Sequence, residues 1–117
     1  SKPYGVKIVI GPETAEQVLD TYQVVELDLI AVKGKTKPVS IYTVLPFFDT
    51  AGEIAHKKFI DLYRTGKWEV AKQFASDLKK CWQGELSDYY DLMISRIEEF
   101  ETHSPKDWDG IYRATSK

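Results

Sequence analysis

Val6, Ile8 and Ile10 alternate with Lys7 and Val9, the period-two pattern of a strand with at least one buried face. At Gly11-Pro12-Glu13 the period changes. Gly11 can cap a helix, Pro12 suits its first position, Glu13 and Glu16 suit its positive end, and Ala15, Val18 and Leu19 make a stripe, so a short helix is predicted over 12–20. Tyr22 to Val32 reads as a strand, and Val39 to Leu45 as its hairpin partner. Beyond Pro46-Phe47-Phe48-Asp49 the pattern is helical. Thr50 and Glu53 have capping-box spacing, and Ala55, Phe59, Leu62 and Tyr63 share a face. Gly66 ends that helix; Trp68, Ala71, Phe74, Ala75, Leu78 and Trp82 stripe an antiparallel second one. A third stripe, Leu86, Tyr90, Met93, Ile97 and Phe100, follows with Ser87 as its cap and Ser104-Pro105 as its end. The pattern predicts an α+β chain: a small sheet with one short helix over 1–46, then a helical hairpin, a third helix and an ordered tail over 47–117.

Composition narrows the function classes. In 117 residues, 43% hydrophobic and 29% charged content is that of an ordinary globular domain with a core. A net charge of −2 creates no field that would recruit nucleic acid or an anionic membrane. No apolar run is long enough to span a bilayer, and the lone Cys81 makes neither an internal disulfide nor a cysteine metal site. These features predict a cytoplasmic setting without membrane or nucleic-acid contact. Ser1-Lys2-Pro3-Tyr4-Gly5 opens without an initiator methionine, so a segment of a longer protein is expected.

Between the two hairpin strands lies Val32-Lys33-Gly34-Lys35-Thr36-Lys37-Pro38-Val39, a basic tip. Lysines flanking a glycine suit a polyphosphate: Gly34 allows close backbone approach and the ammonium groups supply point charge. Exposed hairpin lysines also serve solubility and block edge pairing, and a turn alone does not decide between these roles.

The surrounding string adds to this. Tyr4-Gly5-Val6-Lys7-Ile8-Val9-Ile10, Glu13-Thr14, Glu26-Leu27-Asp28, Val32-Lys33-Gly34-Lys35 and Pro38-Val39-Ser40-Ile41-Tyr42 occur in order. Over residues 1–45 this resembles the C-terminal end of class III adenylate/guanylate cyclase catalytic domains. Pro105-Lys106-Asp107-Trp108-Asp109-Gly110-Ile111-Tyr112 is similar to the ending of bacterial membrane-anchored cyclases with extracytoplasmic sensor domains. The resemblance implies a parent enzyme that converts ATP to cyclic AMP and pyrophosphate for signalling. Its sites would form between two catalytic domains, as in a homodimer, with Mg or Mn. It assigns Lys33 to the triphosphate and brings Lys35 into the same neighbourhood. The family's metal-binding aspartates, purine-selecting residues and transition-state asparagine and arginine lie upstream of this segment, which is therefore expected to be inactive alone and to hold no cofactor. Leu29-Ile30-Ala31 is more apolar than the family's lead-in to the lysine motif.

Leu62 to Ala71 resembles the middle of a tetratricopeptide repeat; a generic helical hairpin fits the same pattern. The competing function is thus a non-enzymatic helical module that binds a protein partner. Trp68 is expected to seal the hairpin turn and Trp108 to staple the tail. His56 and His103 stand apart without ligand partners, which argues against zinc. Asp107-Trp108-Asp109-Gly110 lacks the ligands of a calcium loop. Glu26 and Asp28, two apart in a strand, are expected on one solvated face.

Overall fold

The computed structural model describes residues 4–113; the opening Ser1-Lys2-Pro3, on which the reading of the chain's start rests, lies outside them. The fold is α+β. Helix α1 (Pro12–Gln17) precedes an antiparallel pair, β1 (Gln23–Ile30) and β2 (Val39–Leu45), followed by α2 (Thr50–Arg64), α3 (Trp68–Leu78) and α4 (Ser87–Thr102). Val25, Leu27 and Leu45 from the hairpin and Phe59, Tyr63, Leu78, Trp82, Tyr89, Met93 and Ile97 from the helical half are buried in one cluster.

The first predicted strand is reduced to a single bridge, in which Ile10 and Tyr42 exchange backbone bonds of 2.8 and 2.9 Å. Upstream of it the chain turns, because Tyr4 is tied to β1 by its hydroxyl, which donates to Asp28 Oδ2 at 2.8 Å. Val6 is buried while Ile8 is 48% exposed, so the alternation does not mark one face. Helix α1 stops three residues before Asp20. It buries only Ala15 and lacks a side-chain cap, too little to sustain further turns.

Strand β1 contains a bulge. Glu26 pairs with Tyr42 and Asp28 with the adjacent Ile41, leaving Leu27 as an extra residue. The bulge reverses the phase of alternation, so Leu27 and Asp28 are both fully buried. The expected solvated face of Glu26 and Asp28 does not exist. The carbonyls at the bulge accept from the helical layer: Tyr89 Oη donates to Leu27 O at 2.5 Å, and His56 Nε2 to Glu26 O at 2.5 Å.

Asp49, not Thr50, caps α2, its Oδ1 accepting from Gly52 N at 2.8 Å. Its Oδ2 accepts from Trp82 N at 3.0 Å. Trp82 and Gln83 have φ of 57° and 53°, the left-handed region that non-glycine residues avoid. Asp49 thus fastens a strained turn to the start of α2, and α3 ends at Leu78 rather than running on to Trp82. Gly66 (φ 77°) closes α2 with Lys67 N donating to Leu62 O and Gly66 N to Tyr63 O, the pairing that a left-handed residue permits. Ser87 is the first residue of α4 and not its cap; no side chain caps this helix.

The two hydrogen bonds hold the Asp49 carboxyl below the usual aspartate range, that from Trp82 first. Asp49→Ala is expected to lower stability by about 1–2 kcal/mol, read as the shift in urea midpoint at pH 7. Since the folded carboxyl is the more acidic, its contribution is full at neutral pH and fades as pH falls below about 4, so wild type and variant should converge in acid.

Candidate functional site

The lysine motif sits on a defined turn. Lys35 N donates to Val32 O at 3.0 Å and Gly34 has φ of 87°, the arrangement of a type II turn with Lys33 at its second position. Gly34 is required for this conformation. A Cβ there would meet nothing within 4 Å, so no packing demands a glycine. Residues 31–38 are all exposed. Among the described residues, neither Lys33 nor Lys35 has an acidic partner, whereas Lys57, Lys72 and Lys79 each do. Among the described residues, Lys33 and Lys35 thus present two ammonium groups without an acidic partner on one short turn.

Beneath the hairpin lies a polar network that the pattern of residues did not announce. Asp28 is 0% exposed; its Oδ2 accepts from Arg96 Nη1 at 2.9 Å and from Tyr4 Oη, and its Oδ1 from Leu29 N at 2.9 Å. Arg96 Nη1 also donates to Tyr63 Oη at 3.0 Å, and the guanidinium lies 3.5 Å over the Tyr112 ring. Burial, together with Asp28, raises the Tyr4 hydroxyl far above its ordinary range; burial likewise pushes Tyr63 up to about 12. Both phenols remain neutral, Tyr4 donating to Asp28 and Tyr63 accepting from Arg96. The available signal was Arg96 itself, an arginine at helical spacing from Met93 and Phe100 on an apolar stripe.

His56 forms a second buried chain. Nε2 faces the Glu26 carbonyl, so it carries the proton; Nδ1 then accepts from Tyr90 Oη at 2.8 Å, and Tyr90 in turn accepts from Trp82 Nε1 at 3.0 Å. Every polar atom in this relay has a partner, and its effect is to bind β1 to α2 and α4. Spacing to Phe59, Ile60 and Tyr63 marks His56 as a buried-face residue.

Among the described residues no group of three or more His, Cys, Asp or Glu side chains is placed to hold a metal ion. A groove of about 880 Å³ opens between α4 and the tail, lined by Arg96, Phe100, Trp108 and Tyr112 but by neither Lys33 nor Lys35. No helix among the described residues is long and apolar enough to cross a membrane.

The chain matches no family model, no curated protein and no solved structure.

Burial pushes the His56 imidazole down to about 4, with the Glu26 carbonyl opposing the shift. The unfolded chain therefore binds a proton at an ordinary histidine pKa while the folded chain does not. Stability is full above about pH 6.5 and falls toward pH 4; this group alone should remove about 2 kcal/mol between pH 7 and pH 5. Urea titrations should show that loss in the wild type and a flatter dependence in His56→Gln, whose lower stability at pH 7 reflects its incomplete hydrogen bonding.

Proposed function

We propose that this chain is the C-terminal part of a class III nucleotidyl cyclase, in which Lys33 contacts the triphosphate of ATP while cyclic AMP and pyrophosphate form. The observation that carries this reading is the placement of the motif's first lysine. Lys33 occupies a fully exposed type II turn, with no ion partner among the described residues, at the tip of an antiparallel hairpin. A rigid base with an unpaired ammonium at its tip suits electrostatic stabilisation of phosphate charge. Lys35, which closes the turn through its backbone, is the second contact.

In this role the segment supplies one binding element and no proton transfer. The buried acids and bases are not available for chemistry: Asp28 is neutralised by Arg96, and His56 is enclosed between Glu26 and Tyr90. The reaction's metals and its second catalytic domain belong to the rest of the parent enzyme.

The adaptor reading draws less support. The main apolar faces of α2, α3 and α4 are spent in the core shared with the hairpin. Ile54 and Val70 are the large hydrophobic side chains left exposed on these helices among the described residues, and single exposed side chains are ordinary. The helical half fits better as a brace for the hairpin.

In the complete enzyme carrying this segment, Lys33→Ala is expected to lower kcat/KM for ATP about 10- to 100-fold, the loss of one charged hydrogen bond. The Lys35→Ala effect should be smaller, and thermal unfolding of both variants should match the parent. Unchanged kinetics in Lys33→Ala would remove this residue from the site.

A further inference from the structure

Residues 103–113, after α4, form no helix or extended strand of their own, yet they are held in three ways. Trp108 inserts its ring among Tyr63, Trp68 and Phe100 at centroid distances of 5.4, 5.6 and 5.2 Å, and its Nε1 donates to Tyr63 O at 3.2 Å. Gly110 is buried so closely against α2 that a Cβ would lie 3.2 Å from that of Arg64. Tyr112 then runs parallel to the end of β1: its N–H donates to Leu29 O at 2.8 Å and its carbonyl accepts from Ala31 N at 3.0 Å.

The position of that last contact matters. Pairing between β1 and β2 ends at Ile30 and Val39, and the lysine turn begins at Val32. Ala31, between them, is held through its N–H by Tyr112 alone among the described residues. The turn itself is closed by the one bond from Lys35 N to Val32 O. Arg96 links the layers, since it bonds Asp28 in β1 while its guanidinium covers the Tyr112 ring.

We propose that the tail is a latch on the root of the lysine turn, with Trp108 as its anchor and Tyr112 as the positioning residue for Lys33. The functional part of this inference rests on the phosphate reading of Lys33; the mechanical part does not. With the latch closed, Ala31 continues the strand and the turn projects from a fixed base. With it open, the ordered hairpin ends at Ile30 and the lysines sample a wider range, so phosphate binding must first order them. The aromatic setting of Trp108 lies in the helical half, so displacement of that half would loosen the turn without touching it.

Tyr112→Pro removes the N–H that Leu29 accepts, and Tyr112→Phe preserves both the backbone bonds and the ring beneath Arg96. Trp108→Leu provides an independent way to weaken the anchor. Amide hydrogen exchange by NMR on the 117-residue chain, without ligand, tests the latch. Exchange at Ala31 and Lys35 should quicken about tenfold in Tyr112→Pro and Trp108→Leu, while Val25 and Thr43 stay protected and Tyr112→Phe matches wild type. Unchanged Lys35 exchange in both weakened variants, with Ala31 freed, would overturn the latch, as would equal loosening in Tyr112→Phe.

Titration with inorganic tripolyphosphate, followed at the Lys33 and Lys35 amides, then tests its purpose. An affinity several-fold weaker in Tyr112→Pro than in wild type and Tyr112→Phe is expected. Equal affinity in all three would overturn the positioning role. If wild type shows no response at these amides, the phosphate reading fails, and the exchange result still decides the latch.

Discussion

A carboxylate with no access to water is the constraint on which the rest of this structure depends. Asp28 is buried on a strand, and burial of an unpaired charge would cost far more than a small domain's net stability. It is tolerated because Arg96, Tyr4 and the Leu29 amide all converge on it. Each donor fixes a different part of the chain: Arg96 the third long helix, Tyr4 the start of the described residues, and Leu29 the strand itself. An ion pair of this kind adds little stability over a well-packed apolar alternative, but removal of one partner is severe. Its value lies in register, since a slip of one residue along β1 would leave the carboxylate without its arginine.

The same constraint explains the bulge. A regular strand would place Asp28 on the face of Glu26, away from Arg96. One extra residue reverses the phase, and the carbonyls of Glu26 and Leu27 accept from His56 and Tyr89. The aromatic residues of the helical half therefore act as hydrogen-bonding walls as well as apolar filling. His56 is kept neutral chiefly by burial, which disfavours the imidazolium, and its Nδ1 accepts from the Tyr90 hydroxyl.

Strong periodicity was legible and phase was not. The hairpin partner Val39–Leu45 is found with the bounds its alternation predicts, and α2 ends at Arg64, just before the Gly66 that its spacing marks as the stop. The α+β class follows from that switch of period. Alternation cannot register a bulge, because the extra residue is an ordinary leucine. The cap of α2 was misplaced by one because Thr50 and Glu53 satisfy the same spacing as Asp49 and Gly52. Asp49 takes the role since its second oxygen also meets Trp82, a contact across 33 residues that no local pattern contains. At the candidate site, Lys33 and Lys35 were legible as an exposed basic turn. The support under them was not, since it comes from residues 108–112.

That support changes what the basic turn can do. A lysine on a free loop must give up backbone and side-chain freedom when it binds phosphate, and that cost cancels much of what a single charged contact contributes. Here the turn is formed before any ligand arrives: Gly34 sets its shape, the β1–β2 ladder holds one edge and Tyr112 holds the other. On the proposed phosphate reading, what remains to be ordered on binding is chiefly the lysine side chain. The helical half is thus connected to the hairpin by more than sequence. On the proposed phosphate reading, Arg96, Trp108 and Tyr112 are the route by which this brace acts on binding, because they limit the freedom the lysines have left to lose.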